Sequence, residues 1–235
     1  MNILQCENIK KSFFGKTGVV KALEGVSLEI EKNSAFGLAG ESGSGKTTLG
    51  KIILGILRPD SGRVILETNK VQVIFQDPYN SLDPKMRVFD ILAEGMIIKG
   101  QSEVRRNVEE ILNLVKLPKD ALKKYPHQFS GGERQRIAIG RALLTKPEFI
   151  VCDEPVSSLD VTIQLQILDL LKDVQKRFGI TYLFISHDLR VIRYMCDRLA
   201  IMKDGRIVEQ GSMQQVYSSP SDSYSRRLLA SILPI

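Results

Sequence analysis

The chain has 235 residues and a mass of 26.3 kDa, enough for one domain with a large core or for two compact subdomains. Hydrophobic residues make up 43% and charged residues 26% of the sequence, a composition that excludes a disordered or a fibrous chain. Lysines and arginines outnumber aspartates and glutamates by 33 to 27, so the formal net charge is +6. This excess is spread along the sequence. It is compatible with polyanionic ligands or an anionic membrane surface, but it selects neither.

The cysteine and histidine content argues against a disulfide framework and against a transition-metal site. The cysteines are Cys6, Cys152 and Cys196, an odd and scattered set, and there are only two histidines. We therefore expect a reducing, cytosolic compartment. The apolar runs fall far short of the ~20 residues that a membrane-spanning helix needs, and the N-terminal residues lack the pattern of a secretory signal. Any action at a membrane is expected to depend on docking to another protein.

Short apolar segments alternate with longer amphipathic ones, which is typical of an α/β domain. Residues 3–9 and 26–30 alternate between apolar and polar side chains, as half-buried strands do. Near-continuous apolar runs predict strands that are buried on both faces of a parallel sheet, and these runs cover residues 35–39, 149–152 and 182–185. Helical patterns cover residues 47–57, 104–115, 133–144 and 162–178.

The middle third of the chain shows a different pattern. From about residue 84 to residue 146 the sequence predicts helices and loops without a convincing strand, which indicates a helical subdomain inserted into the α/β core. The core would then comprise residues 1–83 and 147–217. The tail is turn-rich and then amphipathic, so we expect a C-terminal helix over about residues 222–234.

The strongest local motif is GESGSGKTT at residues 40–48, which fits G-x-x-x-x-G-K-[ST], follows a predicted buried strand and opens a predicted helix. Its glycines allow successive backbone N–H groups to point at phosphate oxygens, and the helix N-terminus adds the positive end of its dipole. Lys46 would bridge the β- and γ-phosphates, and the Thr47 hydroxyl would bind Mg²⁺. A solvated Gly/Ser loop is the alternative, but it does not explain the order of strand, loop and helix. We therefore predict nucleotide contacts from Gly40, Glu41, Ser42, Gly43, Ser44, Gly45, Lys46, Thr47 and Thr48.

Two acidic residues follow the predicted strand at 149–152. Asp153 is placed so that its carboxylate can reach Mg²⁺ through water, and Glu154 so that it can orient or polarise an attacking water. By itself the pattern is equally compatible with a strand that ends in a solvated acidic turn. Together with the phosphate loop it predicts a P-loop nucleoside triphosphatase.

A second glycine-rich segment, FSGGERQR, begins at Phe129 and leads directly into a predicted helix. A serine and two glycines at a helix start form another anion-binding N-terminus, with a dipole but without a lysine. One nucleotide does not need two anion-binding helix starts from the same chain. A dimer explains both, because the second helix start of each subunit can bind the nucleotide held by its partner. A capped helix with a flexible lead-in is the alternative. The dimer hypothesis predicts nucleotide contacts from Ser130, Gly131, Gly132 and Glu133.

This segment resembles the LSGGQ signature of the ATPase subunits of ABC transporters, with Phe129 for leucine and Glu133 for glutamine. The resemblance covers essentially the whole chain, in the family's order. It implies an α/β fold with a P-loop NTPase core, in which N-terminal antiparallel strands accompany a mostly parallel sheet and an α-helical subdomain is inserted. It also implies ATP as the nucleotide, Mg²⁺ as the metal, and ATP hydrolysis coupled to transmembrane transport.

Other positions of the family pattern are also matched. Gln76 looks like the Q-loop glutamine that links the metal and the lytic water to the transmembrane partner, and Asp160 looks like the D-loop aspartate at the dimer interface. His187 resembles the switch histidine that contacts the γ-phosphate, and its ring is able to donate to a phosphate oxygen whether neutral or charged. Phe13 falls where the family places an aromatic that stacks on adenine, but the adjacent Phe14 leaves that assignment open. The resemblance implies Glu154, His187 and Gln76 as catalytic residues and Thr47, Gln76 and Asp153 as metal ligands.

The segment FQDPYNSLDP and the terminal YSRRLL are similar to the dipeptide, oligopeptide and nickel importers of this family. This implies an ATPase that powers an importer for peptides or for nickel and other metal chelates by ATP-driven dimerisation. The expected partners are a second ABC ATPase subunit (a paralogue or a second copy), two transmembrane permease subunits and, indirectly, an extracytoplasmic substrate-binding protein. No nucleic acid is expected, and the location would be peripheral, at the cytoplasmic face of the cell membrane. An ATPase of an exporter or lipoprotein-release system, or a soluble ABC ATPase acting on nucleic acid, stays open.

Overall fold

The computed structural model describes residues 1–15 and 18–231. The strands are β1 (Asn2–Gly15), β2 (Gly18–Glu31), β3 (Ala35–Ala39), β4 (Ser61–Leu66), β5 (Val71–Ile74), β6 (Phe149–Asp153), β7 (Thr181–Ser186), β8 (Arg198–Lys203) and β9 (Arg206–Ser212). The helices are α1 (Lys46–Ile53), α2 (Pro78–Ser81), α3 (Val88–Ile98), α4 (Val104–Leu114), α5 (Gly131–Leu144), α6 (Val161–Phe178), α7 (Leu189–Met195), α8 (Met213–Ser218) and α9 (Ser223–Ala230). Two 3₁₀ turns lie between α4 and α5, at Lys119–Lys123 and Pro126–Gln128.

A six-stranded sheet with the order β5-β6-β7-β3-β8-β9 organises the core. All neighbouring strands in it are parallel except β8 and β9, which are antiparallel. The Cα of Ala39 is paired with Ser186, and that of Asp153 with Ile185. This register brings the carboxyl ends of β3, β6 and β7 to one edge, so the residues that follow these strands become neighbours. The mostly parallel α/β fold expected from the sequence is confirmed.

The central strands are buried on both faces, as their continuous apolar sequences predict. In β6, Phe149 and Val151 pack with α1 and the N-terminal strands, whereas Ile150 and Cys152 pack with the helices on the opposite face. The alternation follows from the two-residue period of a strand. Burial raises the pKa of the Cys152 thiol far above its ordinary value, which makes this cysteine a packing residue.

The N-terminal strands form a separate antiparallel sheet with the order β2-β1-β4. β1 and β2 are a long hairpin that covers α1, with Leu28 and Ile30 buried in the same cluster as Leu49. The antiparallel N-terminal strands implied by the family resemblance are therefore present. β4 was not predicted because residues 61–66 lack a clear alternation of apolar and polar side chains.

Within the described residues, the chain between β5 and β6 forms helices and 3₁₀ turns but no strand. This agrees with the helical pattern of the middle third, although the first helix already begins at Pro78, before residue 84. The hydrophobic contacts of α3, α4 and α5 are continuous with those of α6 on the helical face of the sheet. The division into an inserted subdomain stays a prediction.

Two helices are shorter than the sequence predicts. α1 ends at Ile53 rather than at residue 57, because Gly55 adopts a left-handed φ of 72° that ends the helical path. α9 covers Ser223–Ala230 and is followed by Ser231, and the rest of the predicted helix, residues 232–234, lies outside the described residues. In the described ranges, no helix combines the length and the apolar character required to cross a bilayer.

Candidate functional site

Residues 40–48 form a loop that leaves β3 and enters α1 at Lys46. The Lys46 ammonium lies inside the loop, where Nζ donates to the carbonyl oxygens of Gly40 at 2.7 Å and Glu41 at 2.8 Å and to Oγ of Ser44 at 3.3 Å. Burial lowers the pKa of Lys46, and the negative charges of Glu154 and Asp153 oppose that shift. The loop therefore holds a cation that can exchange its carbonyl partners for phosphate oxygens.

The loop has glycine where neighbouring backbone leaves no room for a side chain. A Cβ on Gly40 would lie 2.3 Å from the carbonyl oxygen of Met202, and one on Gly45 would lie 2.5 Å from that of Ala22. Both glycines also have positive φ values, 149° and 105°. The other predicted contact residues of the loop differ in exposure. Glu41, Ser42, Gly43 and Thr47 are exposed, Thr48 is half-buried and Ser44 is buried.

Asp153 ends β6 beside the start of α1. Its Oδ1 accepts a hydrogen bond of 3.2 Å from the Thr47 hydroxyl. Burial raises the pKa of the Asp153 carboxyl, and the Thr47 hydrogen bond partly offsets that shift. The two oxygen-bearing side chains predicted to bind a divalent metal are thus adjacent, although they come from distant parts of the sequence.

Glu154 and His187 meet at the same edge of the sheet. Nδ1 of His187 lies 2.9 Å from Oε2 of Glu154. Glu154 has a left-handed φ of 50°, a conformation that costs a non-glycine residue about 1–2 kcal/mol, and its N–H donates to the carbonyl of Ile185 at 2.9 Å. Strained backbone of this kind clusters at functional sites because the surrounding structure imposes it.

The Glu154 contact also restricts what His187 can do. With Glu154 ionised, its carboxylate only accepts hydrogen bonds, so the tautomer that satisfies this contact carries its proton on Nδ1. Nε2 then has no hydrogen in the neutral ring, and it can donate to a phosphate oxygen only when the ring is doubly protonated. The contact leaves Nε2 as the ring nitrogen that can face a phosphate oxygen, and the role of His187 stays a prediction.

The second glycine-rich segment forms the start of α5. Ser130 is the N-cap, and the Oε2 of Glu133 accepts hydrogen bonds of 2.8 Å from both the N–H and the hydroxyl of Ser130. Gly132 packs directly on α6, since a Cβ there would lie 2.5 Å from Cγ2 of Ile163, while Gly131 faces Leu159. The segment is therefore a preformed helix N-terminus, and its capping contacts are internal to residues 130–133.

Gln76 contacts the segment that precedes α6, and Asp160 ends that segment. Gln76 is exposed just after β5, and its carbonyl oxygen lies 3.5 Å from the hydroxyl of Ser158, to which it is hydrogen-bonded. Asp160 is the N-cap of α6, where its Oδ1 accepts from the N–H of Ile163 at 3.0 Å. Asp160 thus has a local structural function in addition to its predicted place at a dimer interface.

Phe13 and Phe14 lie near the end of β1, where it pairs with the start of β2. Phe13 is 42% exposed and is paired with Val20, whereas Phe14 is 84% exposed and is paired with Val19. Consecutive strand residues point to opposite faces, so the two rings cannot serve one base from the same position. The choice of Phe13 for adenine stays a prediction.

Two arginines of α5 that were not predicted as functional residues contact the segment after Gln76. Cζ of Arg134 lies 3.5 Å from the centroid of the Tyr79 ring, and Nη1 of Arg141 donates to the carbonyl of Ser81 at 2.5 Å. Both contacts bind the segment after Gln76 to the helix that begins at the second glycine-rich segment. The arginines are seven residues apart and so lie on one helix face, which is the only signal that the sequence offered.

The sequence is similar to those of known transport proteins. A family model described as ABC transporter matches residues 23–157. The oligopeptide transport ATP-binding protein OppF of Bacillus subtilis (strain 168) is 43% identical over 250 aligned residues, which cover 98% of this chain and 82% of that protein. The dipeptide transport ATP-binding protein DppF of Lactococcus lactis subsp. cremoris (strain MG1363) is 44% identical, with 98% and 81% covered.

Solved structures show the same fold. The cbiO1 structure from Clostridium perfringens, part of the ABC transporter complex cbiONQ, superposes with a TM-score of 0.82 and 28% identity over 93% of this chain and 91% of that one. A dimeric ATP-binding cassette in a post-hydrolysis state, bound to ADP and Pi, gives a TM-score of 0.79 and 28% identity over 89% and 98%. With the family model spanning more than half of the sequence, the chain belongs to the ABC transporter family as one of its ATP-binding, ATP-hydrolysing cassettes.

Proposed function

We propose that this cassette powers the import of peptides by closing with a second cassette around ATP and reopening after hydrolysis. The observation that carries the proposal is the convergence of the phosphate loop, the Thr47–Asp153 pair and the Glu154–His187 pair at one edge of the sheet. The dipeptide and oligopeptide transport functions named for its relatives support a peptide cargo.

Nucleotide binding would begin at residues 40–48. Backbone N–H groups at the start of α1 face the phosphates, and the Lys46 ammonium exchanges the carbonyls of Gly40 and Glu41 for phosphate oxygens. The exchange is favourable because charged phosphate oxygens accept stronger hydrogen bonds than neutral carbonyls. Phe13 would stack on the adenine.

The residues present fit a magnesium ion bound together with the nucleotide. The Thr47 hydroxyl and the Asp153 carboxylate are 3.2 Å apart and supply hard oxygen ligands, and the amide oxygen of Gln76 would add a third. When bound, Mg²⁺ neutralises charge on the phosphates. Because the Thr47 hydroxyl donates its hydrogen to Asp153, the lone pairs of its oxygen would stay available to the metal.

Glu154 would act as the base or the orienting group for the attacking water. Its carboxylate is held by Nδ1 of His187, so the two side chains form a preorganised pair at the edge where the γ-phosphate arrives. His187 contributes a hydrogen bond to that phosphate when its ring is doubly protonated. Gln76, on the adjacent loop, would complete the contact with the water.

The second half of the site would come from the partner cassette. Residues 130–133 form a helix N-terminus whose dipole and backbone N–H groups can bind the γ-phosphate of a nucleotide held by the other subunit. Asp160 would lie at the same interface. ATP then stabilises the closed dimer because it binds that state more tightly than the open one.

The segment after Gln76 would carry this closure to two transmembrane permease subunits. Arg134 stacks on Tyr79 and Arg141 is bonded to Ser81, so displacement of α5 must also displace this segment. Because the permease subunits would be its partners, the proposed location of the cassette is peripheral, at the cytoplasmic face of the membrane. A substrate-binding protein would be an indirect partner. Nickel and other metal chelates are the alternative cargo.

Glu154→Gln tests the motor function. We expect this variant to bind ATP, to dimerise with itself or a paralogous cassette in sedimentation experiments, and to hydrolyse ATP very slowly. Lys46→Ala in the same background is the control that should not dimerise. Wild-type hydrolysis by Glu154→Gln, or a monomer at saturating ATP with every candidate partner, would refute the mechanism.

Cargo and partners require a second experiment. Proteins that co-purify with the tagged cassette from detergent-solubilised membranes should include permease subunits, and deletion of the cassette should abolish uptake of labelled peptides. Normal peptide uptake with lost nickel uptake would reassign the cargo. Recovery with nucleic acid and without membrane proteins would favour the soluble alternative.

A further inference from the structure

The C-terminal segment reaches the phosphate loop through Tyr224, a residue that the mechanism above does not use. Tyr224 lies in the first turn of α9 and is 6% exposed. Its hydroxyl oxygen accepts a hydrogen bond of 3.3 Å from the backbone N–H of Glu41. The two residues are 183 positions apart in the sequence, so only the tertiary fold creates this contact.

One peptide unit of the loop is held at both of its polar ends. Its carbonyl, on Gly40, accepts from Lys46 Nζ at 2.7 Å, and its N–H, on Glu41, donates to Tyr224. Under the proposed function, Lys46 would turn toward the phosphates of a bound nucleotide and release this carbonyl. Tyr224 would then be the side chain that still holds the peptide in place.

The anchor of Tyr224 is itself firmly bonded. Oδ1 of Asp222 caps α9 by accepting from the N–H groups of Tyr224 at 2.8 Å and Ser225 at 3.2 Å. The carboxylate of Glu209, on β9, accepts from the N–H of Ser221 at 2.7 Å and from that of Asp222 at 3.3 Å. The first turn of α9 is therefore fixed to the edge strand of the central sheet.

The same edge of the sheet also contacts the loop at Ser44 and at Gly40. The N–H of Gly205, in the turn between β8 and β9, donates to the carbonyl of Ser44 at 3.1 Å. The carbonyl of Met202 approaches Gly40 so closely that no side chain fits. β8, the β8–β9 turn and α9 thus each contact the loop directly.

We propose that Tyr224 is a positioning residue for ATP binding, because its hydroxyl holds the Gly40–Glu41 peptide in the binding orientation while Lys46 moves to the phosphates. The inference rests on the proposed function, since it takes residues 40–48 as the phosphate loop. One neutral hydrogen bond corresponds to about a two- to tenfold change in affinity. The hydroxyl supports binding rather than the chemical step, so KM and Kd change while kcat does not.

Tyr224→Phe tests the proposal, because it removes the hydroxyl and keeps the buried ring. Tyr194→Phe is the matched control, since it removes a hydroxyl that is bonded to Asp169 between α6 and α7. The Kd for ATP is measured by calorimetry on the full chain in a Glu154→Gln background. KM, kcat and Tm are measured with Glu154 intact.

We expect Tyr224→Phe to raise Kd and KM about two- to tenfold, with kcat within twofold of the parent and Tyr194→Phe unchanged. An unchanged Kd, with or without a lower Tm, would give Tyr224 a purely structural role and overturn the proposal. An equal shift in Tyr194→Phe would do the same. If the parent chain itself fails to bind ATP, the proposed function falls as well, so the two failures are distinguishable.

Discussion

The contact between α5 and α6 at Gly132 permits a quantitative prediction. A Cβ at Gly132 would lie 2.5 Å from Cγ2 of Ile163, whereas non-bonded carbons are comfortable at about 3.5–4.0 Å. Gly132→Ala therefore forces the two helices apart by about 1 Å. Such overpacking costs about 1–3 kcal/mol, and the better helix propensity of alanine offsets at most about 1 kcal/mol. With the full offset, we expect the free energy of unfolding to fall by up to about 2 kcal/mol.

A double-mutant cycle assigns this cost to one pair of residues. Ile163→Ala removes the methyl group that clashes, so Gly132→Ala should be much less destabilising in its presence. Urea unfolding of the wild type, both single variants and the double variant should give a coupling energy of about 1–3 kcal/mol, favouring the double variant. Additivity within about 0.5 kcal/mol would refute the reasoning. ATP turnover should fall in Gly132→Ala and partly recover in the double variant, because residues 130–133 move with the helix start.

Three further variants test the site. Lys46→Ala should lose most of its affinity for ATP in a calorimetric titration, and unchanged binding would argue against the phosphate-loop assignment. In the closed dimer the Ser130 hydroxyl, which donates to Glu133 in this structure, would donate to the phosphate instead. Ser130→Ala should then slow ATP turnover by about 100-fold, the scale of one donor lost from a transition state, and full activity would remove Ser130 from the site. Asp153→Asn tests a pH dependence. Because burial raises the pKa of Asp153 above 3.8, the folded protein binds this proton more tightly than the unfolded chain, and wild-type stability falls as pH rises through the window between the unfolded and folded pKa. The free energy of unfolding of Asp153→Asn, measured relative to the wild type, should therefore grow as pH rises through that window and level off toward neutral pH. If denaturant unfolding gave the same difference at pH 3.5 and at pH 7, the raised pKa of Asp153 would be contradicted.

Local patterns predicted the buried strands and the long helices well. Residues 149–152 are all apolar, which fits a strand that is covered on both faces, as β6 is. Residues 162–178 show apolar side chains at helical spacing, and they cover almost all of α6. Prediction failed at α7, β8 and β9, where the segments are short and their types depend on the neighbours that they pair with. The end of α1 was misplaced because the left-handed conformation of Gly55 is decided by how the chain packs beyond it.

The sequence by itself determined the chemical groups of this protein. The spacing of Gly40, Lys46 and Thr47 predicts a phosphate-binding loop, because backbone N–H groups and a lysine at a helix start are local properties of the chain. Only the tertiary structure decided which distant groups meet them. The parallel register of β3, β6 and β7 brings Asp153 to Thr47 and Glu154 to His187, and the fold of the C-terminal segment brings Tyr224 to Glu41. Such pairings depend on strand order and helix packing, which no local pattern of residues encodes.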